Sequence, residues 1–278
     1  MNAFLRRTLA HPGATFGLAL ALLALLAAVF APLFTGADPL AVLDPVHRAL
    51  ERPSAEHLLG TDALSRDLFA RLVYGARVSL AVGIASSVLA VLIGGTLGLG
   101  AALAGPRTDA LLMRGVDVLL ALPRVFLLIV VFALWERPSL AAIIGVIACT
   151  GWFETARLVR AHARSLREAD FVTAVTALGG GRRRVARHLL PHVGATAIVS
   201  ATLDVGNVIL LEAGLSFIGL GLRPPTPTWG NMILEGRSLL FSAPWVALAP
   251  GVALTLTVLA FNLLGDALRD ALDPRRLR

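Results

Sequence analysis

The sequence predicts an all-α, polytopic membrane protein with six transmembrane helices. Of its 278 residues, 56% are hydrophobic and 15% are charged, and the mean hydropathy is +0.78, whereas a soluble domain carries about 25% charged residues. Several apolar runs reach the roughly 20 residues that a helix needs to cross a bilayer. The basic residues, all of them arginine, lie mainly between those runs. Arginines in such positions orient helices in a membrane, so we discount the nucleic-acid binding that a pI near 11.3 would otherwise suggest.

The first apolar run covers residues 12–37 and follows Arg6 and Arg7. A secretory signal peptide starts in a similar way, but its apolar core has only about 7–15 residues. The longer run is therefore predicted to be a retained helix. Because arginine-rich flanks stay in the cytoplasm, this helix is predicted to run outward.

Residues 38–77 are polar and contain prolines, so they are predicted to lie outside the membrane. Their second part, 60–77, carries leucine at every fourth position, which is typical of a helix with one apolar face. We predict an interfacial helix along the bilayer surface, with an ion pair between Asp67 and Arg71, one helical turn apart.

The second span is predicted over residues 78–104. Its glycines, Gly94, Gly95, Gly98 and Gly100, predict the close approach of another helix, because helices in lipid pack through small residues. These glycines do not form the G-x-G-x-x-G pattern of a dinucleotide-binding loop.

The third span, about 111–135, contains Asp117, Pro123 and Arg124. Pro123 is predicted to kink the helix, because proline lacks the amide hydrogen that the helix needs. Asp117 and Arg124 are seven positions apart, so on a continuous helix they would share a face. Ionisable groups within a span face a bundle interior or water. Two interpretations stay open: both residues pair with polar groups of neighbouring helices, or Arg124 borders a transport path.

The remaining spans are predicted over about 140–156, 193–211 and 246–265. The fifth span carries polar residues of its own, which add to the charged pair of the third span as candidates for the lining of a path. The complete set of candidates is Asp117, Arg124, Asp204, Asn207 and Glu212.

Residues 165–191 form the one long polar interruption between the fourth and fifth spans. An S-x-x-E capping box at Ser165 and Glu168 predicts the start of a helix. Gly179 is predicted to end this helix in the left-handed conformation, and a short second helix is predicted to end at Pro191. From its residues alone, this region is either a solvated amphipathic hairpin or a docking element for a soluble partner.

The distribution of arginine orients the six helices. Sixteen of the 25 arginines fall in segments predicted to be cytoplasmic, eight fall in external segments, and Arg124 lies within a span. Eight of the sixteen lie between residues 157 and 191. Because basic residues accumulate on the cytoplasmic side, the polar hairpin and both chain termini are predicted to be cytoplasmic.

The sequence lacks the patterns of enzyme chemistry. It contains no paired catalytic carboxylates, no nucleophile elbow and no His/Cys spacing typical of a metal site. Without lysine it cannot form a Walker A loop for ATP. The single cysteine, Cys149, excludes an intrachain disulfide. We therefore predict a non-enzymatic chain with no catalytic residues, no metal site and no cofactor of its own.

Four segments carry a resemblance to a known family. They are HLLGTDALSRDLFARLVYGARVSL (57–80), MRGVDVLLALP (113–123), LEAGLSFIGLGLRPPTPTWGNMILEGR (211–237) and APWVALAPGVALTLTVLAFNLLGDALRDALDPR (243–275). On these segments the chain resembles the inner-membrane permease subunit of a binding-protein-dependent ABC importer. Within that family it resembles the C-type permease of the dipeptide, oligopeptide and nickel group.

The resemblance implies a division of the chain into residues 1–77, with the first helix, external loop and interfacial elbow, and a permease core at 78–278. A cytoplasmic coupling loop at 161–192 resembles the family's EAA loop, which sits in a groove of the ATPase subunit. The residues implied to couple to the ATPase are Asp170, Phe171, Thr173, Ala174, Val175, Leu178, Gly179, Leu189, Leu190 and Pro191.

The chain departs from the family's pattern at three points. The family's Glu-Ala-Ala is replaced by Thr-Ala-Val at residues 173–175. The interval from Gly179 to Pro191 is one residue shorter, which would rotate the second helix by about 100°. Arg124 stands where the family has a small residue after the proline, and at a path it would favour substrates that carry a carboxylate.

The implied function is to form half of the transmembrane path for a small solute, with di- or oligopeptides favoured. The implied partners are a second homologous permease, two ATPase subunits that bind ATP and Mg, an extracytoplasmic binding protein and the lipid bilayer of the bacterial inner membrane, with no nucleic acid. Nickel or a nickel chelate, glutathione and other small solutes are alternatives within the same architecture.

Two other classes of protein are alternatives to an importer subunit. An ATP-independent transporter or channel usually has an internal repeat, and this sequence shows none. A membrane scaffold would not need Asp117, Arg124 and Asp204 within its spans, because ionisable groups there are costly.

Overall fold

The computed structural model of the protein describes residues 12–272, and within that range it is built from α-helices. The predicted all-α fold class is therefore confirmed. The arginines at the chain ends that entered the predicted orientation (Arg6, Arg7, Arg275, Arg276 and Arg278) lie outside the described residues. In chain order, the helices are α1 (Pro12–Val29), α2 (Ala31–Phe34), α3 (Leu68–Leu103), α4 (Pro106–Leu120), α5 (Arg124–Ala133), α6 (Leu140–Leu166), α7 (Asp170–Ala177), α8 (Arg182–Phe217), α9 (Trp229–Gly236) with a following 3₁₀ turn (Arg237–Leu239), and α10 (Trp245–Leu272).

Between residues 12 and 272, four helices are long and apolar enough to cross a membrane: α3, α6, α8 and α10. Helices α4 and α5 form one further candidate, a pair bent by 75° at the break between them. Helix α1 is apolar but shorter. The protein is therefore a multi-pass membrane protein with four or five spans by length and composition, and its sixth span stays a prediction.

Helix α3 joins two segments that were expected to be separate. It runs without a break for 36 residues, so the expected boundary between an elbow helix ending at residue 77 and a span beginning at Val78 is not found. The expected ion pair between Asp67 and Arg71 is also wrong. Asp67 is the N-cap of α3, and its carboxylate accepts a hydrogen bond from the amide of Ala70 at 2.7 Å. Arg71 bonds instead to Asp62 and to Glu235.

The predicted kink at Pro123 is confirmed, and it is sharper than a bend within one helix. Helix α4 ends at Leu120 and α5 begins at Arg124, with 75° between them, because proline cannot donate the hydrogen bond that would continue α4. Asp117 and Arg124 consequently lie on two different helices. The prediction that they share a helix face is wrong, since that face requires a continuous helix.

The predicted capping box at Ser165 and Glu168 is wrong. Ser165 lies in the last turn of α6, and its hydroxyl donates to the carbonyl of His162 at 2.8 Å. A serine inside a helix commonly satisfies its hydroxyl in this way. Helix α7 begins later, at Asp170, and its N-cap residue, Ala169, contributes no side-chain hydrogen bond.

Pro191 does not end the second helix of the hairpin. It lies inside α8, which continues to Phe217. Proline removes a single backbone hydrogen bond, and the residues on either side keep α8 in place by burial: Leu189 is fully buried and Val193 is 2% exposed. The short helix and the fifth span are therefore one element.

Helix α3 is the centre of the bundle, and its glycines decide which face meets α6. A Cβ at Gly94 would lie 2.5 Å from the carbonyl oxygen of Trp152, and one at Gly98 would collide with that of Ala156. Gly100 has open space. The predicted packing through small residues is thus confirmed on one side of α3, where backbones approach too closely for any side chain.

Candidate functional site

Arg124, at the start of α5, is the centre of a polar cluster inside the bundle. Its guanidinium donates to the carbonyl oxygen of Ile147 at 2.9 Å and to the hydroxyl of Thr150 at 3.3 Å, both on α6. The bend at Pro123 is what turns the first residue of α5 toward α6. A small cavity of about 130 Å³ adjoins the guanidinium and is also lined by Glu154.

The same guanidinium lies 3.8 Å from a carboxylate oxygen of Asp204 on α8. The other oxygen of Asp204 accepts a hydrogen bond from Ser87 on α3 at 3.0 Å. Both charged side chains are about a quarter exposed, 27% for Arg124 and 24% for Asp204. One ion pair thus joins α5 to α8, with α3 and α6 supplying its hydrogen bonds. Ionisable residues within spans take partners of this kind or line a water-filled path.

The other three candidates for a path lie elsewhere. Asp117 accepts from Arg157 of α6 at 2.7 Å, and both side chains are more than half exposed. Asn207 is exposed on α8. Glu212 is 1% exposed, and its carboxylate accepts from the hydroxyl of Ser216 at 2.6 Å. The structure therefore brings Arg124 and Asp204 together, and within residues 12–272 no hydrogen bond or ion pair joins the other three to them.

The hairpin consists of α7, a three-glycine turn and the start of α8. Gly179 has φ +76°, so the predicted left-handed residue is confirmed. Its amide donates to the carbonyl of Thr176 at 3.0 Å, and that of Gly180 donates to Val175 at 2.9 Å. This pair of bonds is the Schellman arrangement, which satisfies the last carbonyls of a helix.

The hairpin exposes most of the residues expected to couple to a partner. Leu178 is 82% exposed and Leu190 is 58% exposed. Phe171 is partly buried against the ring of His192, 5.2 Å away between centroids, and Leu189 packs inward, fully buried. The others are exposed, except for the partly buried Val175: Asp170, Thr173, Ala174, Gly179 and Pro191. The hairpin thus exposes one leucine at its turn and another on α8 beside Pro191.

The base of the hairpin is held by two arginines of α6 and by Arg167, the residue that follows it. Arg160 donates two hydrogen bonds of 2.5 Å to the carboxylate of Asp109 on α4, and Arg164 lies 3.3 Å from it. Arg167 donates to the carbonyl of Ala102 at the end of α3, at 3.0 Å. Sequence reasoning missed Asp109. The available signal was an acidic residue in the first turn of a helix that begins with Pro106.

A second cluster missed by sequence reasoning lies at the other end of α3. Arg71 is 1% exposed and bonds both to Asp62, which is 2% exposed, and to Glu235 of α9. Arg66 also bonds to Asp62 at 2.7 Å and to Glu235 at 3.0 Å. These four residues attach the segment before α3 to α9. In the same segment, the hydrogen bond from Arg48 holds the pKa of Glu56 below its usual value.

Comparisons with known proteins agree with this architecture. Residues 90–278 match the family described as binding-protein-dependent transport system inner membrane component. The chain is 45% identical over 252 residues to the dipeptide transport system permease protein DppC of Alkalihalophilus pseudofirmus, covering 90% of this chain and 82% of that protein. It is 42% identical over 271 residues to a Brucella abortus protein named for a peptide transport system permease, covering 97% and 90%. It is 46% identical over 226 residues to a Brucella suis protein named for a peptide permease, covering 80% and 74%.

Proposed function

The chain belongs to the family of binding-protein-dependent transport system inner membrane components, and on this basis we propose that it forms half of the path of an ATP-driven importer of di- or oligopeptides. The observation that supports a peptide as the substrate is the sequence identity of 42–46% with relatives named for dipeptide or peptide permeases, over 80–97% of the chain. Arg124, which already pairs with the carboxylate of Asp204, is compatible with peptides, each of which ends in a carboxylate.

We propose six spans: α1, the bent pair α4 and α5, and the four long apolar helices α3, α6, α8 and α10. We also propose that both termini lie in the cytoplasm. Residues 1–77 would then hold the first span, an external segment and the start of α3, and residues 78–278 the permease core, with the division falling inside the continuous helix α3. The hairpin within 161–192 would face the cytoplasm, because eight arginines lie between residues 157 and 191 and basic residues stay on that side.

In this proposal the hairpin docks against a separate ATPase subunit. Two ATPase subunits bind ATP and Mg, a second homologous permease completes the path, and an extracytoplasmic binding protein delivers the substrate. The exposed Leu178 and Leu190 supply the apolar contact. Closure of the ATPases moves the hairpin, and α8 carries that movement inward, because it runs as one helix from Arg182 at the hairpin to Asp204 beside Arg124.

The test of transport is uptake of a labelled dipeptide into vesicles that contain both permeases, both ATPases and the binding protein. We expect uptake that needs ATP and the binding protein. Peptide uptake that proceeds without ATP would refute the importer, and ATP-driven uptake of another solute alone would refute the peptide substrate.

The test of docking uses the hairpin turn. Gly179→Pro cannot adopt the observed φ of +76°, because proline is restricted to about −65°. Ala174→Glu places a charge on the exposed face of α7. We expect both variants to insert into the membrane and to lose uptake. Gly181→Ala is the matched control, since its site has open space and an ordinary φ of −72°. Normal uptake with either test variant would refute the docking surface.

A further inference from the structure

A groove of about 640 Å³ separates the hairpin from the rest of the bundle. One wall is the corner where α3 ends and α4 begins, at Ala101–Pro106. The other wall is the hairpin itself, with Val172 and Thr176 of α7 and Val185 of α8. The groove thus lies at the ends of three helices long enough to cross a membrane, α3, α6 and α8. In the topology proposed above, the groove lies on the cytoplasmic side of these spans.

The charge of this groove is strongly positive. Three arginines line it: Arg164, Arg167 and Arg182. The one acidic lining residue, Asp109, is already bound by two hydrogen bonds from Arg160. Within residues 12–272, neither Arg167 nor Arg182 has a carboxylate at ion-pair distance. The groove therefore has an excess of positive charge that its own carboxylate does not neutralise.

Both walls of the groove also have apolar parts. Ala101 and Ala102 are buried on the bundle wall, and Val172 on the hairpin wall is 5% exposed. A ligand with a negative head and apolar chains meets both parts of this surface, whereas a free anion would use the arginines alone.

We propose that the groove binds the phosphate headgroup of an acidic phospholipid, such as phosphatidylglycerol, from the membrane leaflet on the hairpin side. Basic pockets between transmembrane helices are recognised sites for acidic headgroups on the cytoplasmic side. The inference rests on the proposed function only in placing the hairpin in the cytoplasm. Arg167 follows α6 and Arg182 begins α8, so the groove presents one arginine from each end of α7 to a bound headgroup. The bound lipid then holds the hairpin against the α3–α4 corner.

The clean perturbation is Arg182→Gln, compared with Arg183→Gln. Both arginines are exposed and adjacent in α8, but only Arg182 lines the groove. Removal of one arginine near an acidic headgroup weakens binding by about fivefold. The double variant Arg167→Gln with Arg182→Gln is expected to lose about 25-fold by the same reasoning. The double variant also loses the hydrogen bond from Arg167 to Ala102. If it folds poorly for that reason, the single variant Arg182→Gln alone decides whether the groove binds the lipid.

The measurement is the amount of phosphatidylglycerol that stays bound to the purified full chain, by native mass spectrometry, after reconstitution in phosphatidylethanolamine with a minor fraction of phosphatidylglycerol. We expect loss with Arg182→Gln and little change with Arg183→Gln. Equal loss in both variants would show diffuse charge attraction and overturn the site. A free-anion site would instead give two results: millimolar inorganic phosphate would displace the lipid, and the protein would not prefer phosphatidylglycerol over phosphatidylethanolamine. Those results would overturn the proposal that the ligand is a lipid. The assay needs neither ATP nor substrate, so its failure is distinct from a failure of the proposed transport.

Discussion

Arg71→Met tests the cluster that joins the start of α3 to α9. The guanidinium of Arg71 is 1% exposed and bonds to Asp62 and Glu235. Methionine keeps much of the side-chain volume but removes the positive charge. The carboxylate of Asp62, which is 2% exposed, then has one partner fewer to balance its negative charge. Removing one partner of a buried ion pair costs about 3–5 kcal/mol.

The lower end of that range applies here. Asp62 keeps Arg66 at 2.7 Å and accepts from two backbone amides, those of Leu64 and Arg66. Glu235 is 27% exposed, so water replaces part of what it loses. We expect about 3 kcal/mol, which for a chain of this size lowers Tm by about 6–12 °C.

The assay is thermal unfolding of the purified protein in detergent, followed by size-exclusion chromatography after heating. Arg52→Met is the matched control, because Arg52 is an exposed arginine of the segment before α3. Adding Asp62→Asn to Arg71→Met should cost less than the two single changes together, since partners in one cluster are not additive. Equal Tm values for Arg71→Met and Arg52→Met would refute the reasoning that this cluster holds α9.

Three further outcomes follow from the packing and the charges. Gly98→Leu collides with the backbone of α6, so it should sharply reduce the yield of folded protein, whereas Gly100→Leu, which faces open space, should not; equal yields would contradict the packing. Arg124→Ala should change the rate or the selectivity of uptake without lowering the amount of inserted protein, and unchanged uptake of every peptide tested would make Arg124 structural. Because Arg48 lowers the pKa of Glu56, their pair should contribute stability above the usual carboxyl pKa and lose it as pH falls through the lowered value. Protease resistance of the segment before α3 should then decline on acidification, and Glu56→Gln should make that decline smaller; an equal decline in Glu56→Gln would contradict the assignment.

Several features could be predicted because their causes lie within a few residues. Gly179 ends α7 in the left-handed conformation, as only glycine does without strain. Pro123 interrupts the third span because it lacks an amide hydrogen. Gly98 marks the face of α3 where a neighbour approaches.

Local rules failed where burial competes with them. Pro191 was expected to end a helix, but the buried Leu189 and Val193 on either side keep α8 continuous at the loss of one hydrogen bond. Ser165 was expected to cap α7, but α6 extends far enough to include it. In both cases the ends of helices depend on packing against other elements, which a window of sequence does not contain.

The sequence by itself determined three things: that the chain is a membrane protein, roughly where its apolar segments lie, and to which family it belongs. These properties depend on the hydropathy of short segments or on motifs of consecutive residues, so they can be recognised without knowing the fold. Only the tertiary structure decided which charges meet. Arg71 bonds to Glu235, 164 positions away. Arg124 pairs with Asp204 on α8, and not with Asp117, which is closer in the sequence. A charge buried among apolar helices must take a partner wherever the folded bundle places one, and that position is set by the crossing of helices.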